Sequence, residues 1–457
     1  MRRTQVRHPY PTSAGEADAD ALLRLSARSL TEVLEAAGPG AAGRIAGVGV
    51  STFWHGLLGA DDDGQALTPV LLWGATRSSE ASERLRARLD AEAVRQRTGC
   101  PIHSSYWPAK LAWLREVRPE LWRRPLRWIS LGDLLFQRLF GRLGTSLSMA
   151  SGTGLFQLDG MRWDDELLDV LGVPETSLPP IAESVRALLP RHRRAWPALA
   201  DVPWFHALGD GALANLGSGC TVPSRRAVTI GTSAAMRVMH PFGASSAVPQ
   251  GLWRYRLDGS RLVTGGALSS GGNLREWLES TLRVGGPGLE RRLRSMPPAG
   301  HGLTVLPHLA GERAPGYAAH AFGAVAGLTI STTAEEILQA GLESVAIELA
   351  GIGRRLDKVA PRAARLVASG AASLRSAAWM QMVADATGRS VVEGVGEASS
   401  RGAALYALER LGIGKAAGAG LGRVYRPRAA AGRAFAVAAG RQEVLYKALI
   451  GERNIGP

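Results

Sequence analysis

Strand-like and helix-like patterns alternate along nearly the whole chain, and this alternation restricts the fold to the α/β class. Residues 21–37 carry apolar side chains at Leu22, Leu23, Leu25, Leu30, Val33 and Leu34, the period of an amphipathic helix, and Gly38-Pro39-Gly40 ends it. Residues 44–51 read as a buried strand through Ile45, Val48 and Val50. A single charged helix is predicted over 79–96, and another from 111 to 117. Residues 207–216 read as a strand end, a sharp glycine turn and a helix of small residues. The polar stretch 217–224 follows, and a chain of 457 residues is long enough for two domains. The boundary is therefore expected there, giving domains 1–222 and 223–457.

The second half restarts with strands. Residues 227–239 alternate apolar and polar around Gly231-Thr232-Ser233. Asp258-Gly259 between two apolar runs signals a hairpin. Residues 303–309 and 366–368 read as strands, and 376–387 and 398–411 as helices. Thr333 and Glu336 have the spacing of a capping box. The Ala/Gly-rich residues 415–420 read as a loop.

Composition narrows the function. The formal charge is +14, which raises nucleic acid as a partner. The basic residues are nearly all arginines scattered among Asp and Glu, with no basic stripe and no nucleic-acid motif, so no nucleic-acid partner is expected. No apolar run is long enough for a membrane span, and no apolar core follows the basic N-terminus as a signal peptide requires. Cys100 and Cys220 are the two cysteines and fit neither a metal nor a redox spacing, which suits the cytoplasm.

Asp210 stands between Gly209 and Gly211 where a strand meets a helix. A carboxylate so placed can take a proton from a hydroxyl or cap the helix, and the local pattern leaves both open. Gly231-Thr232-Ser233 can offer N–H and O–H donors to a phosphate or serve as a plain hairpin turn. Gly271-Gly272-Asn273 and Gly370-Ala371-Ala372 each precede a helix. In the first half, Trp54-His55 and Trp73 with Arg77 suit a polyhydroxylated substrate, or the tryptophans pack in the core and the histidine is structural. His55, Asp61, Asp62, Asp63 and His206 do not fall at metal-ligand spacings.

Taken in order, these pieces resemble the FGGY carbohydrate kinases, and among them the gluconokinase-like branch, from about Val6 to Leu449. The resemblance rests on Trp54-His55-Gly56-Leu57-Leu58, Lys110-Leu111-Ala112-Trp113-Leu114, Gly209-Asp210-Gly211-Ala212, Thr229-Ile230-Gly231-Thr232-Ser233, and Pro307-His308-Leu309-Ala310-Gly311-Glu312-Arg313-Ala314-Pro315, among others. It implies two ribonuclease-H-like domains of the actin-like ATPase superfamily with a cleft between them. It also implies phosphoryl transfer from ATP with Mg2+ to a hydroxyl of a sugar or sugar acid, gluconate first, with a ketose or polyol as alternatives. Asp210 would be the catalytic base and His55, Trp73 and Arg77 would face the sugar. Gly231, Thr232, Gly272, Gly370 and Ala371 would face ATP. The resemblance leaves a homodimer open.

The chain departs from the family in three places. It opens past the family's first Asp-x-Gly-Thr phosphate loop, so the first domain is expected to be truncated. A homologue that binds a sugar or partner without transferring phosphate is then the alternative. Ala75 replaces a frequent Asp, and Ala371 a frequent Gly.

Overall fold

The computed structural model describes residues 4–13, 15–124, 126–243, 247–361, 365–394, 396–413 and 420–451. Of the loop expected at 415–420, residues 415–419 lie outside them. Two compact units emerge. The first holds Met1–Leu213, Tyr255–Arg261 and Ser399–Ala417, and the second Ala214–Arg254, Leu262–Ala398 and Gly418–Pro457. The chain thus passes between units more often than one boundary at 222/223 expects. A hairpin tip and a helix from the second half cluster with the first.

In the first unit, Val48–Thr52 runs parallel to Trp204–Gly209, and Ser184–Val185 pairs antiparallel on the other side. Leu58–Ala60 pairs with Arg127–Ile129, and Glu16–Ala17 with Val70–Leu71. The helix Ala19–Ala37 starts on Asp18, whose carboxylate accepts from the Ala21 N–H, and stops at Gly38 as its sequence predicts. The single helix expected over 79–96 is two, Ser79–Arg88 and Ala91–Thr98. Asp90 breaks it by turning its carboxylate onto the N–H groups of Glu92 and Ala93, which caps a new helix in place of extending the old one.

The second unit is built on a seven-stranded mixed sheet, in the order Trp253–Arg256, Arg261–Leu268, Ala234–Pro241, Arg225–Ile230, Arg365–Ser369, Ser390–Glu393, Val424–Tyr425. Arg225–Ile230, Arg365–Ser369 and Ser390–Glu393 run parallel. Central parallel strands covered on both faces are expected to be apolar, and Val228, Ile230, Leu366, Ala368 and Val391 are fully buried. The helix Ala334–Leu356 opens on the expected Thr333/Glu336 capping box. It packs on Ala377–Thr387, where the buried Trp379 indole donates to the Leu342 carbonyl at 2.9 Å. The Asp258-Gly259 hairpin also forms, with the Asp258 carboxylate accepting from the N–H groups of Ser260 and Arg261.

Candidate functional site

Asp210 is the first residue of the helix Asp210–Gly217, directly after the strand Trp204–Gly209. The turn is buried at Gly209 and Gly211, while Asp210 itself is exposed. Three hydrogen bonds fix it. The Gly209 N–H donates to Ser148 Oγ at 3.1 Å, the Gly211 N–H to Asp210 Oδ1 at 2.8 Å, and Ser399 Oγ to the Asp210 carbonyl at 3.0 Å. Near it, burial and the charge of Asp210 raise the pKa of Tyr10.

The residue before His55, Trp54, packs on this same turn, so the structure brings His55 and Asp210 into one neighbourhood. His55 is a non-glycine residue at φ +69, a backbone state that costs roughly 1–3 kcal/mol and needs support from its surroundings. Its Nδ1 donates to the Gly152 carbonyl at 2.6 Å. Its carbonyl accepts from the buried Lys110 ammonium at 2.6 Å, and the same ammonium reaches the Leu71 carbonyl at 3.1 Å. The rings of Tyr106 and Tyr255 stand edge-on to His55 at 4.7 and 5.6 Å, and their hydroxyls meet at 2.6 Å.

Trp73 is half-buried. Arg77 is engaged elsewhere: it pairs with Glu16, and its guanidinium lies over the Trp113 ring at 5.0 Å. Ala75, where the family frequently has Asp, is buried against the Gly15 backbone. Lys110, Tyr106, Tyr255 and Ser148 thus join the neighbourhood without having been singled out as site residues.

In the second unit three glycine turns converge. The Gly272 N–H donates to the Gly231 carbonyl at 2.7 Å, and the Asn273 N–H to the Thr232 carbonyl at 3.0 Å. A Cβ on Gly272 would come within 2.6 Å of that Gly231 oxygen and 3.0 Å of the Ala372 methyl, so all three turns touch at this point. Gly370 sits at φ +97 with the Ile230 carbonyl 2.5 Å from where its Cβ would be, a position only glycine tolerates. Thr232 and Ala371 are exposed beside them. Among the described residues, no group of three or more His, Cys, Asp or Glu side chains forms a metal cage, and no helix is long and apolar enough to cross a membrane.

Residues 2–217 match the N-terminal domain of the FGGY family of carbohydrate kinases, and residues 226–409 its C-terminal domain. The gluconokinase of Bacillus subtilis is 29% identical over 75% of this chain and 69% of its own length. The xylulose kinase of Streptomyces rubiginosus is 32% identical over 79% of this chain and 73% of its own length. The crystal structure of gluconate kinase from Lactobacillus acidophilus superposes with a TM-score of 0.86 at 25% identity, covering 97% of this chain and 93% of that one. The N- and C-terminal family domains, matched in family order over most of its length, make this chain a member of the FGGY carbohydrate kinases, and so a sugar kinase.

Proposed function

We propose that this chain transfers the γ-phosphoryl group of ATP to a hydroxyl of a sugar acid, gluconate first, with Asp210 as general base. The observation that carries the reading is an exposed carboxylate on a buried, hydrogen-bonded turn. Burial fixes where the acid stands, and exposure lets a substrate reach it. In the reaction the substrate oxygen bonds to the γ-phosphorus, the bond to the bridging oxygen breaks, ADP leaves, and the hydroxyl proton passes to Asp210. Phosphoryl transfer of this kind depends on positioning and charge stabilisation more than on covalent chemistry.

His55 stands beside the Asp210 turn, where its ring can meet a sugar hydroxyl, and Trp73 supplies a flat apolar face. Arg77 reaches a substrate carboxylate only by releasing Glu16, so it reads as a second-stage contact. In the second unit, the Thr232 hydroxyl and the amides of Thr232 and Ser233 are donors suited to phosphate, while the Gly231 N–H is held by the Ser233 carbonyl, and Gly272 and Gly370 let a nucleotide approach the backbone. Ala371 is the exposed residue that the nucleotide would meet next. Mg2+ bound with ATP takes its ligands mainly from phosphate and water and offsets the triphosphate charge, so it needs no protein cage.

The test is a coupled ADP-release assay against gluconate, xylulose, ribulose and glycerol, run on this chain. Gluconate should give the highest kcat/KM. Asp210→Asn should lose ~10²–10⁴-fold in rate. It should melt as the parent does, because the Asn side-chain oxygen still accepts from Gly211. An Asp210→Asn enzyme with more than half the parent rate refutes the base.

A further inference from the structure

We propose that Trp54 is a positioning residue: its indole is the template against which the Asp210 turn is set. This rests on the reading of Asp210 as general base. Trp54 is 5% exposed, yet much of what it faces is glycine backbone. A Cβ on Gly209 would overlap the indole at Cε2 and Nε1. One on Gly211 would lie 2.5 Å from Cζ3, and one on Gly152 2.5 Å from Cδ1. The glycines on both sides of Asp210 therefore rest on one rigid ring, with Gly209 at its fused bond and Gly211 at its benzene end.

The ring is held as firmly as the turn. Its Nε1–H donates to the Ser148 carbonyl at 3.0 Å, and the hydroxyl of the same Ser148 accepts the Gly209 N–H. Tyr255 closes the cluster edge-on at 4.8 Å. Trp54 and Gly209 are thus tied to one residue as well as packed together, and the helix Asp210–Gly217 begins from that fixed point. A core tryptophan with no further role would affect stability alone. One that sets a catalytic turn must also affect turnover, since a displacement of about 1 Å in a reacting group costs on the order of a hundredfold.

The experiment uses the whole chain, with Trp54→Leu, Trp54→Phe and Asp210→Asn. For Trp54→Leu, corrected for folded fraction, kcat should fall about a hundredfold. KM for ATP should stay within about twofold, and Trp54→Phe should recover part of the loss because it keeps a flat ring on the glycines. In the unliganded folded protein, hydrogen exchange at the amides of Gly211 and Ala212 should quicken at least about tenfold in Trp54→Leu, with Ala334–Leu356 unchanged. If Trp54→Leu does not fold, Trp54→Phe and its exchange rates carry the test. If no form turns over, exchange decides. Asp210→Asn that stays active sinks the base reading and the role given to Trp54 with it. Asp210→Asn that is inactive, beside a Trp54→Leu with parental kcat and exchange, sinks only the positioning role. A fall in activity that merely tracks the folded fraction also overturns it.

Discussion

Replacing Lys110 by methionine tests whether a buried cation holds the His55 backbone in its left-handed state. Lys110 is 1% exposed and donates to two carbonyls, those of His55 and Leu71. The Leu71 oxygen also accepts the Leu57 N–H, so it keeps a partner when the ammonium goes. The His55 carbonyl loses its charged donor at a residue already strained at φ +69. A hydrogen bond from a charged group contributes about 1.5–3 kcal/mol, and weakening the support of a buried carbonyl adds to that loss. Methionine recovers part of this, because no ammonium is then dehydrated. A net loss of about 2–4 kcal/mol is expected, which for a unit of this size lowers the melting temperature by roughly 5–15 °C. Lys110→Arg should not rescue it, since the planar guanidinium cannot replace a compact point donor. The assay is thermal and denaturant melting, with gluconate affinity by calorimetry as the second reading. A variant that melts within about 0.5 kcal/mol of the parent refutes the argument.

Ala371→Gly should leave ATP affinity equal or tighter, as measured by calorimetry, because it removes a methyl at a close-approach turn. A clear loss of affinity would mean that the nucleotide lies elsewhere. His240 is pushed down to about 4 by burial and by Arg254, against about 6.5 when unfolded, so between those values the unfolded chain binds the proton. Its contribution is fully present above pH 6.5 and is lost as the pH falls towards 4. The stability gap between parent and His240→Gln should shift by up to about 3 kcal/mol over that window, and a pH-independent gap refutes the assignment. Duplex DNA titrated at near-physiological salt should show no saturable nanomolar binding, since the cations are scattered and many are paired, as Arg226, Arg389 and Arg428 are. Saturable binding would reopen the basic surface.

What could be read from the sequence was what local chemistry determines. The strand-turn-helix around Asp210, the Asp258-Gly259 hairpin and the Thr333/Glu336 box are each set within a few residues. Asp90 went unread because one acid in a charged run looks like any other until its side chain turns onto the backbone. The supports of the site were invisible for a different reason. Lys110 meets His55 across 55 residues, and Trp54 meets the Ser148 carbonyl across 94. No periodicity encodes such pairs, and a buried lysine reads locally as a surface one. Arg77 belongs with these, because its partner Glu16 is 61 residues away.

The parallel pairing of Arg225–Ile230 with Arg365–Ser369 has one more consequence. Their register sets Thr229 opposite Ser369, and the two hydroxyls meet at 3.0 Å across the ladder. Gly231 and Gly370 are therefore two steps and one step beyond the same rung, although 139 positions part them in sequence. Their meeting is set by strand alignment, and the Gly272 turn within the interval joins a junction that the ladder has already placed. A slip of one rung would leave every loop intact and still turn each side chain of the strand to the opposite face. The Thr229 and Ser369 hydroxyls are in this sense the alignment mark of the second unit, and their joint replacement by valine would show whether the ladder alone can keep the count.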